Sequence, residues 1–137
     1  MVDYARFSRS HLDGILRLCT AQGWPSFPAD PERATRVLTA PGVTTVVALD
    51  EGVVVGFAEL FSDGEIQAYL ATMVVDETRR GRGIGRTLVN EALRLAGGER
   101  IDLLSEDGAL DFYRVFPHLE KRGIRLYPIR QRGTKNP

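Results

Sequence analysis

VDETRRGRGIGR, residues 75–86, follows a β-branched, apolar stretch and precedes apolar residues at helical spacing. A strand, a glycine-rich turn and a helix in this order leave the first N–H groups of the helix unpaired, at the positive end of its dipole. Glycine lets the backbone close on an anion with no Cβ in the way. Arg79, Arg80, Arg82 and Arg86 add positive charge at the same point. The stretch therefore predicts a pyrophosphate-binding loop.

Two common phosphate-binding loops do not match this stretch. A Walker loop needs G-x-x-x-x-G-K-[ST], and the chain contains no Gly-Lys pair. The dinucleotide fingerprint needs G-x-G-x-x-G; Gly81 and Gly83 fit, but residue 86 is arginine. The N-terminal βαβ unit of that fold is also missing from the predicted elements. An ATP-type loop is excluded, and a Rossmann site is poorly supported.

Apolar spacing predicts the elements N-terminal to the loop. A helix begins near Leu12 with Ser10 as its cap and ends at Gly23, and a second helix follows with Asp30 as cap and Pro31 in its first turn. Between them, the prolines of Trp24–Pro28 argue against helix. The pattern then becomes β-branched, and short turns predict an antiparallel meander of three strands, at residues 43–49, 53–61 and 65–75.

C-terminal to the loop, the pattern predicts further alternation of helix and strand. A helix carries apolar residues inward from Ile84 to Ala96, and the strand at 101–105 is then parallel to the one before the loop. A helix at 109–116 and a strand at 123–127 complete the order. The prediction is a single α+β domain over residues 1–129, with a mixed, mostly antiparallel sheet flanked by helices, and a flexible basic tail at 130–137.

The amino-acid composition argues against several classes of function. The chain has 137 residues, 43% hydrophobic residues and a formal net charge of zero, so we expect a globular protein that binds no nucleic acid. A single cysteine, Cys19, and two histidines predict no metal site, and Cys19 itself lies on a predicted apolar helix face. Without a long apolar run or a targeting pattern, we expect no membrane association and a cytoplasmic location.

Arg80, Gly83 and Gly85 fit the pattern R/Q-x-x-G-x-G/A, and the flanks of this motif and the order of elements agree along almost the whole chain. The sequence therefore resembles the GNAT superfamily of acetyl-CoA-dependent N-acetyltransferases. The resemblance implies a GNAT-like fold, acetyl-CoA as co-substrate and no metal. It also implies transfer of the acetyl group to a primary amine of a small molecule or peptide, by direct attack in a ternary complex.

The same resemblance implies roles for particular residues. The pantetheine arm would contact Met73, Val74 and Val75, where a main-chain N–H would polarise the thioester carbonyl. The pyrophosphate would be held by the loop, which comprises Arg80, Gly81, Arg82, Gly83, Ile84, Gly85 and Arg86. Residues 109–113 resemble the family's A-x-x-[FL]-Y, which makes Tyr113 the general acid for the departing thiolate; a core aromatic is the alternative.

The general base and the acceptor site are left open. The position of a base glutamate in histone-acetylating relatives falls on Tyr69, so Glu59 and Glu65 are the remaining candidates, acting through water, or else solvated strand residues. Candidate acceptor-binding residues are Trp24, Phe27, Tyr69 and Glu106. The aromatic loop could instead pack onto the sheet.

The sequence departs from the family pattern at the last helix. Glu106 stands where many relatives carry asparagine, and Pro117-His118 replace a Gly-Phe pair. The alternative function is a non-catalytic acetyl-CoA-binding or sensor domain, which would keep the loop and lose the acceptor chemistry. The identity of the amine and a homodimeric state are left open.

Overall fold

The computed structural model describes residues 1–129. Five strands form one sheet in the order β1-β2-β3-β4-β5. The strands are β1 Val2–Arg6, β2 Val43–Asp50, β3 Val53–Ser62, β4 Gln67–Val75 and β5 Arg100–Asp102. The helices are α1 Leu12–Gln22, α2 Ser26–Ala29, α3 Pro31–Leu38, α4 Ile84–Ala96 and α5 Leu110–Tyr113. The predicted tail, residues 130–137, lies outside the described residues.

Strand directions confirm the predicted mixed sheet. Strands β1 to β4 pair antiparallel in sequence order, while β5 runs parallel to β4 after the crossover through α4. The N-terminal strand β1 was not predicted. It is an edge strand of five residues that pairs only with β2, and its two charged residues, Asp3 and Arg6, interrupt the apolar pattern that identifies longer strands.

The two faces of the sheet carry different helices. On one face, a core cluster joins Leu12 and Ile15 of α1 and Leu38 of α3 to Phe57 of β3. On the other face, α4 packs so closely that a Cβ on Gly56 would lie 3.0 Å from Leu88 Cδ1. Neighbouring residues on β3 thus face opposite layers of helices, because successive side chains of a strand point to opposite faces of the sheet.

Helix α4 has the predicted bounds. Gly23 ends α1 in the left-handed conformation, at φ 76°.

Local capping differs from the prediction at the first helix. A 3₁₀ turn, Arg9–His11, precedes α1, and its cap is Ser8 rather than Ser10. The backbone N–H of Ser8 donates to His11 Nδ1 at 3.0 Å. Asp30 caps α3 as predicted, accepting from the Arg33 N–H at 3.1 Å.

The proline-rich connection is not free of helix, because Ser26–Ala29 form the short helix α2. Pro28 is tolerated there since a single turn has few internal N–H bonds to lose.

The chain divides after Leu103 into two compact units, the first of which contains the whole sheet. In the second unit, α5 covers only Leu110–Tyr113 and follows a 3₁₀ turn at Asp107–Ala109, so the predicted helix at 109–116 was too long. Over the described part of this unit no strand forms, so the strand predicted at 123–127 is wrong; Ile124 and Leu126 are exposed there. The predicted buried strand at 101–105 is limited to Arg100–Asp102, with only Ile101 half-buried.

Candidate active site

A β-bulge divides β4 into two halves. Glu59 of β3 pairs with Thr72, and the next residue, Leu60, pairs with Leu70, so Ala71 is the extra residue. Strict alternation along β4 would place Met73 on the same face as Tyr69, but the extra residue moves Met73 to the opposite face. Directly opposed residues share a face, so Tyr69 lies with Phe61 while Thr72 lies with Glu59, and Met73 lies on the α4 face.

The second half of β4 has an open edge. Strand β5 pairs only with Gln67, Ala68 and Tyr69, so among the described residues no strand borders the far edge of 70–75. The Asp76 N–H donates to Val55 O at 2.8 Å, toward β3. Because main-chain groups alternate between the two edges of an antiparallel strand, Val74 also faces β3, whereas Met73 and Val75 face the open edge. The Met73 N–H is therefore directed at the place that a further strand would occupy.

The turn after β4 is shaped by short-range polar contacts. Asp76 Oδ1 accepts from the Thr78 N–H at 2.9 Å and from Thr78 Oγ1 at 2.8 Å, and these bonds lower the pKa of the Asp76 carboxyl. A 3₁₀ turn, Glu77–Arg79, follows. Arg80 Nε then donates to Val75 O at 3.1 Å, which brings the start of the glycine loop back toward the end of β4.

The glycines leave space above the first turn of α4. Gly81 and Gly83 have φ of 79° and 81°, and a Cβ built on either meets no heavy atom within 4 Å. Gly83 is the N-cap, and the first intrahelical bond runs from the Thr87 N–H to Gly83 O at 3.1 Å. The N–H groups of Ile84 and Gly85 thus lie ahead of the helix's own hydrogen bonding. This geometry fits an oxyanion bound by main-chain donors.

The four arginines of the loop do not share one role. Arg79 pairs with Asp50 at the end of β2, and Arg80 donates to Val75 O. Arg82 and Arg86 are exposed beside the first turn of α4. The side chain of Ile84 is buried at 3% exposure, so only its main chain faces the loop.

Glu59 is the one buried acid among the described residues, at 2% exposure. Its Oε1 accepts from Thr72 Oγ1 at 2.8 Å. Burial raises the pKa of the Glu59 carboxyl, and the Thr72 bond opposes this in part. The alternative of a solvated strand residue is therefore wrong for Glu59. Cys19 lies buried on the same face, where burial and the Glu59 charge raise its pKa to about 11, so it stays a neutral thiol.

Two aromatic rings lie beside this acid. Phe61 and Tyr69 stack with ring centroids 6.2 Å apart, on the face that carries Glu59. Phe61 is 41% exposed and Tyr69 is half-buried, so together they form an accessible apolar wall. Glu65 is not on β4 as predicted. It is exposed in the preceding turn, where its N–H donates to Asp63 Oδ1 at 2.8 Å.

The other predicted acceptor residues lie elsewhere in the two units. Trp24 and Phe27 are half-buried and pack against the core cluster under α1. Glu106 is exposed, and its carbonyl accepts from the Ala109 N–H at 2.9 Å in the second unit. Tyr113 is half-buried on α5, against Phe112 at 4.9 Å between ring centroids. Burial raises the pKa of the Tyr113 phenol, so it remains protonated at neutral pH.

Sequence reasoning missed Thr72 and Phe61. Thr72 is hidden by the bulge, since strict alternation from Tyr69 places it on the opposite face. Phe61 could have been identified from the sequence, because it lies two residues from Glu59 on a strand and so shares its face.

Over residues 1–129 no group of three acidic, histidine or cysteine side chains is suited to a metal ion. The helices of that same range are all too short or too polar to span a membrane.

Comparison with known proteins agrees with this geometry. Residues 11–116 match the acetyltransferase (GNAT) family. No curated protein matches the sequence. Among solved structures, an acetyltransferase of Trypanosoma brucei is 22% identical with a TM-score of 0.73, over 93% of this chain and 100% of that chain.

Two aminoglycoside acetyltransferases share the fold as well. AAC(6')-Iy, solved with a bisubstrate analogue, CoA-S-monomethyl-acetylneamine, is 20% identical with a TM-score of 0.76, over 95% of this chain and 99% of that chain. The enzyme meta-AAC0020, from an uncultured soil metagenomic sample and solved with sisomicin, is 22% identical with a TM-score of 0.77, over 95% and 97%.

A strand with one open edge, followed by a glycine loop and a helix N-terminus, defines a fold of the acetyltransferase class. The chain belongs to the acetyltransferase (GNAT) family, as the match over residues 11–116 shows.

Proposed function

We propose that this protein is an N-acetyltransferase that transfers the acetyl group of acetyl-CoA to a primary amine of a small molecule or peptide. The observation that carries the proposal is the continuity of the open edge of β4 with the glycine loop. An extended thioester arm along residues 73–75 leads directly to the main-chain donors at the start of α4. Complexes of AAC(6')-Iy with CoA support the same choice of co-substrate.

The loop supplies the binding of the diphosphate. Main-chain N–H groups at the start of α4 donate to its oxygens, and Gly81 and Gly83 keep the approach free of side chains. Arg82 and Arg86 add charge at the rim. Arg80, which was predicted to bind the co-substrate directly, is proposed to act mainly by holding the loop against Val75 O.

The open edge supplies the polarisation of the thioester. The Met73 N–H donates to the carbonyl oxygen, and its stabilisation grows as negative charge develops there. The Val75 carbonyl is shared with Arg80, and Val74 contributes through its buried side chain. Holding amine and thioester together on this edge replaces a bimolecular encounter by a positioned attack.

Protons move at two places during the reaction. The amine nitrogen attacks the thioester carbon in its neutral form, the C–S bond breaks, and the thiolate takes the phenolic proton of Tyr113. Glu65 is exposed in the turn before β4, and this position does not favour a role as the base. Glu59 is the remaining carboxylate candidate, acting through water. Trp24, Phe27, Tyr69 and Glu106 are proposed to line the acceptor side.

Tyr113→Phe tests the role of the general acid. We expect turnover to fall about ten-fold or more, because the thiolate leaves without a proton donor, while acetyl-CoA affinity stays unchanged. Amine-dependent thiol release measures turnover, and calorimetry measures affinity.

Tyr127→Phe, in the same unit, is the matched control that should retain wild-type turnover. Equal turnover of the Tyr113 variant and the wild type would remove Tyr113 from the reaction. An absence of thiol release with every amine, despite tight acetyl-CoA binding, would instead favour the sensor alternative.

A further inference from the structure

Glu59 has a buried carboxyl group that no cation of residues 1–129 neutralises. Within residues 1–129 its carboxylate forms no ion pair, and its one side-chain hydrogen bond is to Thr72, a neutral group. Burying a carboxylate without a cation costs free energy of folding. A group kept in such a position suggests that a cation arrives from outside.

The second carboxylate oxygen is positioned to meet such a cation. Oε1 is occupied by Thr72, whereas Oε2 has no hydrogen-bond partner in the described chain. Every fully buried side-chain oxygen there does have a partner. It follows that Oε2 reaches the surface through the small exposed fraction of Glu59. The carboxylate is thus oriented by Thr72, with one oxygen directed outward.

The distance across the sheet argues against direct proton removal by Glu59. Neighbouring strands lie about 4.8 Å apart, so a thioester on the open edge of β4 is roughly two spacings, about 10 Å, from the backbone of β3. A base must approach the reacting amine to about 3 Å. Glu59 instead lies where a second part of the acceptor would rest, beyond the reacting nitrogen and over the face of the sheet.

The aromatic wall next to Glu59 fits the body of such an acceptor. Phe61 and Tyr69 stack on the same face, and Phe61 is 41% exposed. Aromatic faces attract ammonium groups and pack against methylene chains. Apolar walls around a single outward carboxylate oxygen select a cation rather than a neutral hydroxyl, since only the cation neutralises the charge.

We propose that Glu59 binds a second ammonium group of the acceptor, so that the preferred substrates are amines with two cationic groups. One ammonium lies against Glu59 Oε2, while the other nitrogen, in its neutral form, reaches the thioester at Met73. Thr72 is a positioning residue that holds the carboxylate. This inference rests on the proposed acetyl transfer and specifies its substrate class.

The test compares a diamine with its neutral counterpart. Putrescine and 4-aminobutanol differ only in the distal group, an ammonium or a hydroxyl. In the wild type we expect kcat/KM, measured by thiol release, to be at least about ten-fold higher for putrescine, as expected for a charge-assisted hydrogen bond. In Glu59→Gln we expect this preference to vanish, because kcat/KM for putrescine falls at least about ten-fold further than kcat/KM for 4-aminobutanol.

Glu91→Gln, which makes the same charge change on α4, is the matched control and should keep the full preference for putrescine. Thermal unfolding establishes that each variant is folded. Equal kcat/KM for the two amines in the wild type, or an unchanged preference in Glu59→Gln, would overturn the proposal while leaving acetyl transfer intact.

Failure of the proposed function gives a different pattern, with no thiol release from any amine. The ammonium site is then tested by calorimetric titration of putrescine into the CoA-saturated protein. Saturable binding that is weakened about ten-fold in Glu59→Gln would support the site, and identical binding, or none, would overturn it.

Discussion

The two halves of β4 share one strand and differ in what their edges do. Ala68 and Tyr69 are paired on both sides, to β3 and to β5, while Gln67 pairs with Arg100 of β5 and accepts a hydrogen bond from its side chain. Residues 72–75 are paired only to β3, and their far edge borders no strand in the described chain. The bulge at Ala71 lies between the two halves.

The two halves of β4 therefore differ in how their main-chain groups are used. In the first half the main-chain groups serve the pairing with neighbouring strands or the turn at Asp63, so the residues there matter for packing. In the second half, half of the main-chain groups are not used by the sheet, while the others still anchor the strand. The bulge also places Thr72 beside Glu59, on the face of the aromatic pair, so the proposed acceptor side begins where the pairing of β4 with β5 ends.

Met73→Pro is expected to have the largest effect on this distinction. Proline removes the N–H that faces the open edge and leaves the β3 ladder intact. We expect turnover to fall about 100-fold or more, the usual effect of removing an oxyanion donor. Thiol release and thermal unfolding are measured together.

Val74→Pro is the matched control, because its N–H belongs to the ladder with β3. It should unfold the protein or lower the Tm far more than Met73→Pro does. A Met73→Pro variant that retains wild-type turnover would show that the open edge is not the place of reaction.

Gly83→Ala is expected to have the next largest effect. Its Cβ would enter the space in front of the α4 N-terminus, and we expect acetyl-CoA affinity to fall about ten-fold or more in calorimetry. Gly52→Ala is a close control, since Gly52 has φ 80° against 81° for Gly83 and equally open surroundings. Both variants should lose about 1–2 kcal/mol of stability from the left-handed conformation. Equal affinity in the two variants would refute the role of the glycine loop.

Glu59→Gln should give the smallest effect, one on stability. The raised pKa means that the folded protein binds the proton more tightly than the unfolded chain, so wild-type stability falls as pH rises above the ordinary glutamate pKa. We therefore expect the Tm of the glutamine variant to exceed that of the wild type at neutral pH, and the difference to shrink as pH falls below that value. A constant difference in Tm from acidic to neutral pH would show that the Glu59 carboxylate is not destabilised by burial.

Much of the fold could be predicted because its signals are local. The β-branched runs of β2 and β3, the apolar spacing of α4 and the cap of Asp30 depend on neighbours along the chain, and each lies where it was predicted. The short edge strand β1 and the segment 123–127 were assigned wrongly. Whether these two segments form strands depends on pairing with a neighbouring strand, and the alternation of apolar and polar residues over a few positions does not predict that pairing.

The site shows the same limit. The glycine loop was predicted from its residues alone, because glycine and helix-start preferences are local. The pairing of Glu59 with Thr72 depends on one extra residue in β4, which shifts every later side chain to the other face. No residue type at Ala71 indicates that bulge, so the hydrogen bond between Thr72 and Glu59 could not be predicted, and Glu59 was left open as a base acting through water or a solvated strand residue.

Calorimetric titration of acetyl-CoA into the intact protein tests the central claim most directly. The glycine loop and the open edge of β4 together predict a saturable heat with one site per chain. The same titration of Gly83→Ala should give a binding constant weakened about ten-fold or more. An absence of heat and of saturation at millimolar acetyl-CoA would contradict the account.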